Sequence, residues 1–253
     1  MRVIRRLIVV VLALAAVVVV PSASAGSLPL VGWWPMFEGQ GQIVHDLSGM
    51  GNSGVLGSTA AVEPSDPTWF RSGILNALHF DGGQFVTIPD SPSLEPARLT
   101  VIGLVRGSAS PGQWRYVVSK GALGCRTGSY GLYSGFGGGL AFYVSSGYDY
   151  FISPEAPSTV WNGKWHVAAG TFDGTTVRLF VDGVQVGTGT SVPVPFSIGY
   201  GLPTNDGAQI GGYGGGCDLT FKGDLTQVSI WSMALPISQI WQRTQALSAL
   251  NPR

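Results

Sequence analysis

Residues 165–189 read WHVAAGTFDGTTVRLFVDGVQVGTG, and the second half of this stretch decides the fold. Between Thr176 and Gln185, Val177, Leu179 and Val181 fall on one face of an extended chain while Arg178, Phe180 and Asp182 fall on the other. Successive strand side chains point to opposite faces, so this alternation is that of a strand. Asp182-Gly183 then supplies a tight turn. The segment reads as a β-hairpin.

Outward from it the same pattern recurs. The runs Ala77–Phe80, Gln84–Ile88, Leu99–Val105, Arg115–Ser119, Ser129–Ser134, Leu140–Ser145, Trp165–Phe172 and Leu225–Trp231 read as further strands. The 38 glycines and 16 prolines are scattered without period between these short apolar runs, as in an antiparallel all-β fold with many turns. Several runs carry apolar or aromatic residues on both faces, which predicts two packed sheets with part of an outer face covered. Pro236–Leu247 differs: Ile237, Ile240, Trp241, Thr244 and Leu247 recur at helical spacing behind a proline placed for a first turn. A short terminal helix is expected there. The long glycine-rich loops, Glu38–Gly54, Gly135–Gly139 and Gly199–Gly216, are where function is expected on such a scaffold.

The chain opens with Arg2, Arg5 and Arg6, runs apolar from Leu7 to Val20, and reaches Pro21, Ala23, Ser24 and Ala25. That order predicts a secretory signal peptide over 1–25, cleaved before Gly26. Fourteen apolar residues fall short of the roughly 20 that a membrane-crossing helix needs. The expected product is one domain, 26–253, secreted and free of the membrane. Without the leader the basic residues fall from 14 to 11 against 14 acidic ones, a formal charge of −3. No cluster of Lys or Arg follows residue 6, which argues against a nucleic-acid partner. An exported chain with only Cys125 and Cys217, both in glycine-rich loops, is expected to join them in a disulfide; the alternative is two free thiols.

In order, the fragments are LVGWWPMFEGQG (30–41), HDLSGMGNSG (45–54), ALHFDGGQFVTIPDSPSL (77–94), VVSKG (117–121), the 165–189 stretch, QIGGYGGG (209–216) and FKGDLTQVSIWSMAL (221–235). Together they resemble the laminin-G-like jelly-roll family of concanavalin A-like domains across nearly all of 26–253. The resemblance implies a two-sheet antiparallel jelly-roll sandwich. It fixes architecture far better than activity, since such folds host lectins, adhesion modules and glycanases. One departure concerns the last strand, where Leu225, Thr226 and Gln227 stand in place of the family's Ile-Asp-Glu. Two carboxylates are thereby replaced by neutral side chains.

Glucanases of this fold draw paired carboxylates from a closely spaced acidic strand motif. Here Glu38, Glu63, Glu95 and Glu155 lie far apart in expected loops, so no catalytic residue is assigned. His45, His79 and His166 pair with no GxSxG serine, and structural roles are expected for them. Calcium is the one cofactor considered: Asp46, Ser48 and Asn52 offer hard oxygen ligands, although the changes at Thr226 and Gln227 remove acids. The alternative is an Asx-type turn without metal.

Tyr148 and Tyr150 flank Asp149 in a glycine-bounded turn, while Tyr200 and Tyr213 flank a loop with Asn205 and Asp206. Ring faces beside hydrogen-bonding groups suit sugars; the alternative is that the rings only pack the loops. The sequence therefore suggests a secreted, non-catalytic module binding a polysaccharide or glycan on a loop rim. A protein-binding adhesion or surface component and a glycan hydrolase are the alternatives.

Overall fold

The computed structural model describes residues 29–250; the leader expected over 1–25 lies outside the described residues. Seventeen strands and one α-helix follow in chain order among the described residues. They are β1 (Leu30–Trp34), β2 (Ile43–Val44), β3 (Gly54–Leu56), β4 (Thr68–Ser72), β5 (Leu75–Asp81), β6 (Val86–Ile88), β7 (Leu99–Arg106), β8 (Tyr116–Ala122) and β9 (Tyr130–Ser134). Then come β10 (Leu140–Ser145), β11 (Tyr150–Ile152), β12 (Trp165–Phe172), β13 (Thr176–Val181), β14 (Val184–Gln185), β15 (Thr190–Ser191), β16 (Asn205–Ile210), β17 (Lys222–Trp231) and α1 (Ile237–Ala249).

Two antiparallel sheets form a jelly-roll sandwich. One has the order β14-β13-β12-β7-β17-β5-β4, with β1 also on β17 and β15 on β13; the other runs β11-β10-β9-β8-β16-β6-β3-β2. β17 serves two neighbours on one edge, β5 through Lys222–Leu225 and β1 through Val228–Trp231. A bulge between Thr226 and Ser229 separates the two halves, and Gln227 there has a φ of 52°. Thr226 Oγ1 donates to the carbonyls of Pro35 and Asn76, and Gln227 Nε2 donates to that of Pro35. The residues that replace the family's acids thus brace the chain after β1.

The hairpin forms as its alternation predicts. Phe180 pairs with Gln185 and Val181 with Val184, and Asp182 and Gly183 both take positive φ, the requirement of a type I′ turn. Val177 and Leu179 enter the core between the sheets. Phe180, on the other face, joins Val167, Ala169, Trp231 and Ile240 in a second cluster, so α1 covers part of that sheet's outer face. The helix begins one residue later than expected and buries Ile240 and Thr244, whereas Ile237 and Trp241 stay exposed.

The outer face of the eight-stranded sheet carries a third cluster, built on Tyr116, Tyr133, Ala141, Tyr143 and Tyr213. Core-facing side chains of the same strands, among them Val117, Leu132, Phe142 and Val144, alternate with these rings.

Candidate functional site

Three adjacent strands set a floor of tyrosines on that outer face. Tyr116 of β8 stacks on Tyr133 of β9 with centroids 5.4 Å apart, and Tyr143 of β10 meets Tyr133 edge-on at 5.3 Å. Gly131, opposite Tyr143 in the β9–β10 register, makes room for them: a Cβ there would come 2.6 Å from Tyr143 and 2.8 Å from Tyr116. The backbone N–H of Gly128 donates to Tyr143 Oη at 2.8 Å, and Tyr116 Oη donates to the same oxygen at 3.3 Å. Burial pushes the Tyr116, Tyr133 and Tyr143 phenols well above their ordinary pKa. They stay neutral, able to donate and accept, over the whole physiological range.

Above this floor opens a cleft of about 520 Å³, with Trp114, Tyr148, Tyr150, Arg126 and the Cys125–Cys217 pair among its walls. Tyr148 is 92% exposed, Tyr150 55% and Trp114 46%. The disulfide expected from the sequence is present, its Cα atoms 5.8 Å apart. It ties the β8–β9 turn to the β16–β17 connection. No carboxylate is among the residues lining the cleft.

The structure divides the residues singled out from sequence. Tyr148 and Tyr150 belong to the cleft, and Tyr150 opens the edge strand β11 instead of lying in a turn. Asp149 is exposed between them but is not part of the lining. Tyr213 is only 4% exposed and stacks on Tyr116 at 4.8 Å, so it packs the edge of the floor. Asn205 and Asp206, expected in a loop, head strand β16. Asn205 Oδ1 accepts from the Gly207 N–H at 2.7 Å, and Asp206 accepts from those of Gly201 and Leu202. Tyr200 donates to the Pro96 carbonyl at 2.8 Å. The Gly199 N–H donates to the carbonyl of Ser145, the last residue of β10 before the Tyr148–Tyr150 segment, but only that segment, and not the 199–217 loop, presents tyrosine rings to the cleft. Tyr116, Tyr133 and Tyr143 are floor residues that sequence reasoning left in strands without a function; the signal was their shared parity, opposite to that of Val117, Leu132 and Phe142.

At the Asp46 loop, Oδ1 accepts from the N–H groups of Trp33 and Ser48, and Oδ2 from Ser48 Oγ and the Asn52 N–H, all at 2.8–2.9 Å. Asn52 is buried and turns its Nδ2 onto the Val31 carbonyl and Ser93 Oγ. As folded, this is the donor set of an Asx turn, and calcium would have to displace it. Each histidine is paired with an acid: His45 with Glu38, His79 with Asp224 and His166 with Asp182.

Residues 80–240 match the family model described as the concanavalin A-like lectin/glucanases superfamily. No curated protein sequence matches the chain. Among solved structures, domain 4 of an extracellular arabinanase from Geobacillus stearothermophilus, in complex with arabinotriose, is similar with a TM-score of 0.65 at 19% identity, covering 86% of this chain and 99% of that one. The binding domain of botulinum neurotoxin serotype G gives 0.63 at 12%, covering 88% and 54%. Trypanosoma rangeli sialidase gives 0.60 at 18%, covering 89% of this chain and 34% of the sialidase. This chain thus spans about half of the toxin domain and a third of the sialidase, and at these identities the likeness concerns the fold alone.

Proposed function

The chain belongs to the concanavalin A-like lectin/glucanases superfamily, and from that premise we propose that it acts outside the cytoplasm as a non-catalytic module binding a glycan in the tyrosine-lined cleft. The observation that carries this reading is the cleft itself. Its floor is phenolic, its walls present exposed aromatic rings, and its lining contains no carboxylate. Sugars offer apolar C–H faces to rings and hydroxyls to phenols. A glycosidase of the usual kind instead needs two carboxylates about 5–10 Å apart across the scissile bond. The arabinanase domain of similar fold, solved with arabinotriose, supports a glycan ligand. The leader-like N-terminus and the disulfide support export, because disulfides persist in oxidising compartments.

Ring stacking at roughly 25 cal/mol per Å² of apolar area contributes modestly per tyrosine. Single sugars should therefore bind weakly and longer chains better. On a glycan array, Tyr148→Ala and Tyr150→Ala should each lower affinity about three- to tenfold and leave the melting temperature nearly unchanged, since both side chains are exposed. Normal binding by both variants would move the site elsewhere, and release of reducing ends would overturn the non-catalytic assignment.

A protein-binding role would use another surface, where Phe37, Leu47 and Met50 are exposed and Phe37 meets Trp33 edge-on at 6.1 Å. The absence of any glycan ligand would turn attention there.

A further inference from the structure

We propose that the cleft selects glycans bearing carboxylate groups, with Arg126 as the residue that holds the acid. This rests on the glycan-binding reading above and specifies its ligand class. Arg126 is the one charged side chain in the cleft's lining. It has no acidic partner among the described residues, whereas the neighbouring Arg115 is bound by both the carbonyl and the carboxylate of Asp218. The cleft therefore offers a guanidinium with no protein anion opposite it.

The backbone that carries the guanidinium is held in place, while the side chain itself is exposed. Arg126 follows Cys125, which is bonded to Cys217. Its N–H donates to the Leu123 carbonyl at 3.2 Å, inside a turn closed by the Leu123 N–H on the Thr127 carbonyl at 3.1 Å. A tethered backbone lowers the ordering cost of each contact the side chain makes. Exposed aromatic rings line the same cleft, so one sugar can meet a ring face and the guanidinium together. The planar fork matches the two oxygens of a carboxylate, the acid group that uronate and sialate residues carry.

The test is an array on which uronate- and sialate-bearing oligosaccharides stand beside the same oligosaccharides with the carboxyl reduced to an alcohol, with sulfated oligosaccharides as a third arm. The carboxylated forms should bind about tenfold more tightly than their reduced partners, and the gap should narrow as salt rises. In Arg126→Gln, its fold checked by circular dichroism, the ratio of carboxylated to reduced affinity should fall to about one; Arg126→Lys should keep part of it. Equal affinity for both forms in the wild type, or a ratio unchanged in Arg126→Gln, overturns the proposal, and so does preference for sulfated forms alone. If reduced oligosaccharides bind and Tyr148→Ala weakens them, the glycan reading stands while the carboxylate assignment falls. If nothing on the array binds, both fall.

Discussion

Lys120 has no exposed surface, and its ammonium lies 2.8 Å from Asp90, 3.3 Å from Glu95 and 3.3 Å from Asp206. Those three acids stand close enough together to hold a metal ion, yet a lysine fills the place between them. Removing one partner of such a buried cluster leaves uncompensated charge, so Asp206 is held for structural reasons. Nothing local in the sequence shows this, because Lys120 and Asp206 are 86 residues apart and only the pairing of β8 with β16 unites them. The Asp46 turn, by contrast, was legible, since three of its four donors come from Ser48 and Asn52, within six residues of it. What composition alone left open was whether those oxygens serve calcium or backbone. With four donors on the carboxylate, Asp46→Ala should cost about 2 kcal/mol, and a chelator should leave the wild-type melting temperature where it is. A chelator-induced loss that calcium restores would assign the loop to the metal.

The elements readable from sequence are those that carry their own signal. The hairpin of β13 and β14 holds an alternating run and its turn residues within ten positions. β16 was missed because it begins Asn-Asp-Gly, a turn-like composition that becomes a strand only between β6 and β8. The β12–β13 turn shows how a loop acid can stabilise an element. Asp173 accepts from the N–H groups of Thr175 and Thr176 at 2.9 and 2.8 Å, and from Arg178 at 2.5 Å. Burial alone would raise its pKa, but Arg178 and the turn donors prevail and bring it from 3.8 to about 2. The folded state therefore takes up the proton less readily than the unfolded chain. The turn's contribution is fully present above pH 3.8 and disappears as the pH falls towards 2. Because the carboxylate is partly exposed to solvent, this is on the order of 1 kcal/mol or less. Melting curves from pH 5 to 2 should fall less steeply for Asp173→Asn than for the wild type; parallel curves would remove the assignment.

Across the molecule, alternation reported that two sheets pack, because apolar residues on both faces of the same strands need two covers. It did not report which face of the eight-stranded sheet is open. Tyr116, Tyr133 and Tyr143 look like core aromatics until the partner sheet is placed on the opposite side, and then they become a floor. The disulfide was legible from compartment and count, but its place in the cleft depends on β8 and β16 being neighbours. Since it joins residues 92 positions apart, its main effect is on the unfolded chain, where closing so long a loop is worth about 4–5 kcal/mol. In a chain of this size that corresponds to roughly 10–15 °C of melting temperature. The sandwich has its own core beneath the cleft, so Cys125→Ser with Cys217→Ser should retain the far-ultraviolet spectrum of the β fold while melting earlier. Glycan affinity should drop at temperatures where the double variant is still folded, because the Arg126 turn and the β16–β17 connection are no longer tied across the cleft. Unchanged affinity in the folded variant would show that the walls stand without the bond, and a melting point within about 2 °C of the wild type would remove the loop-closure account.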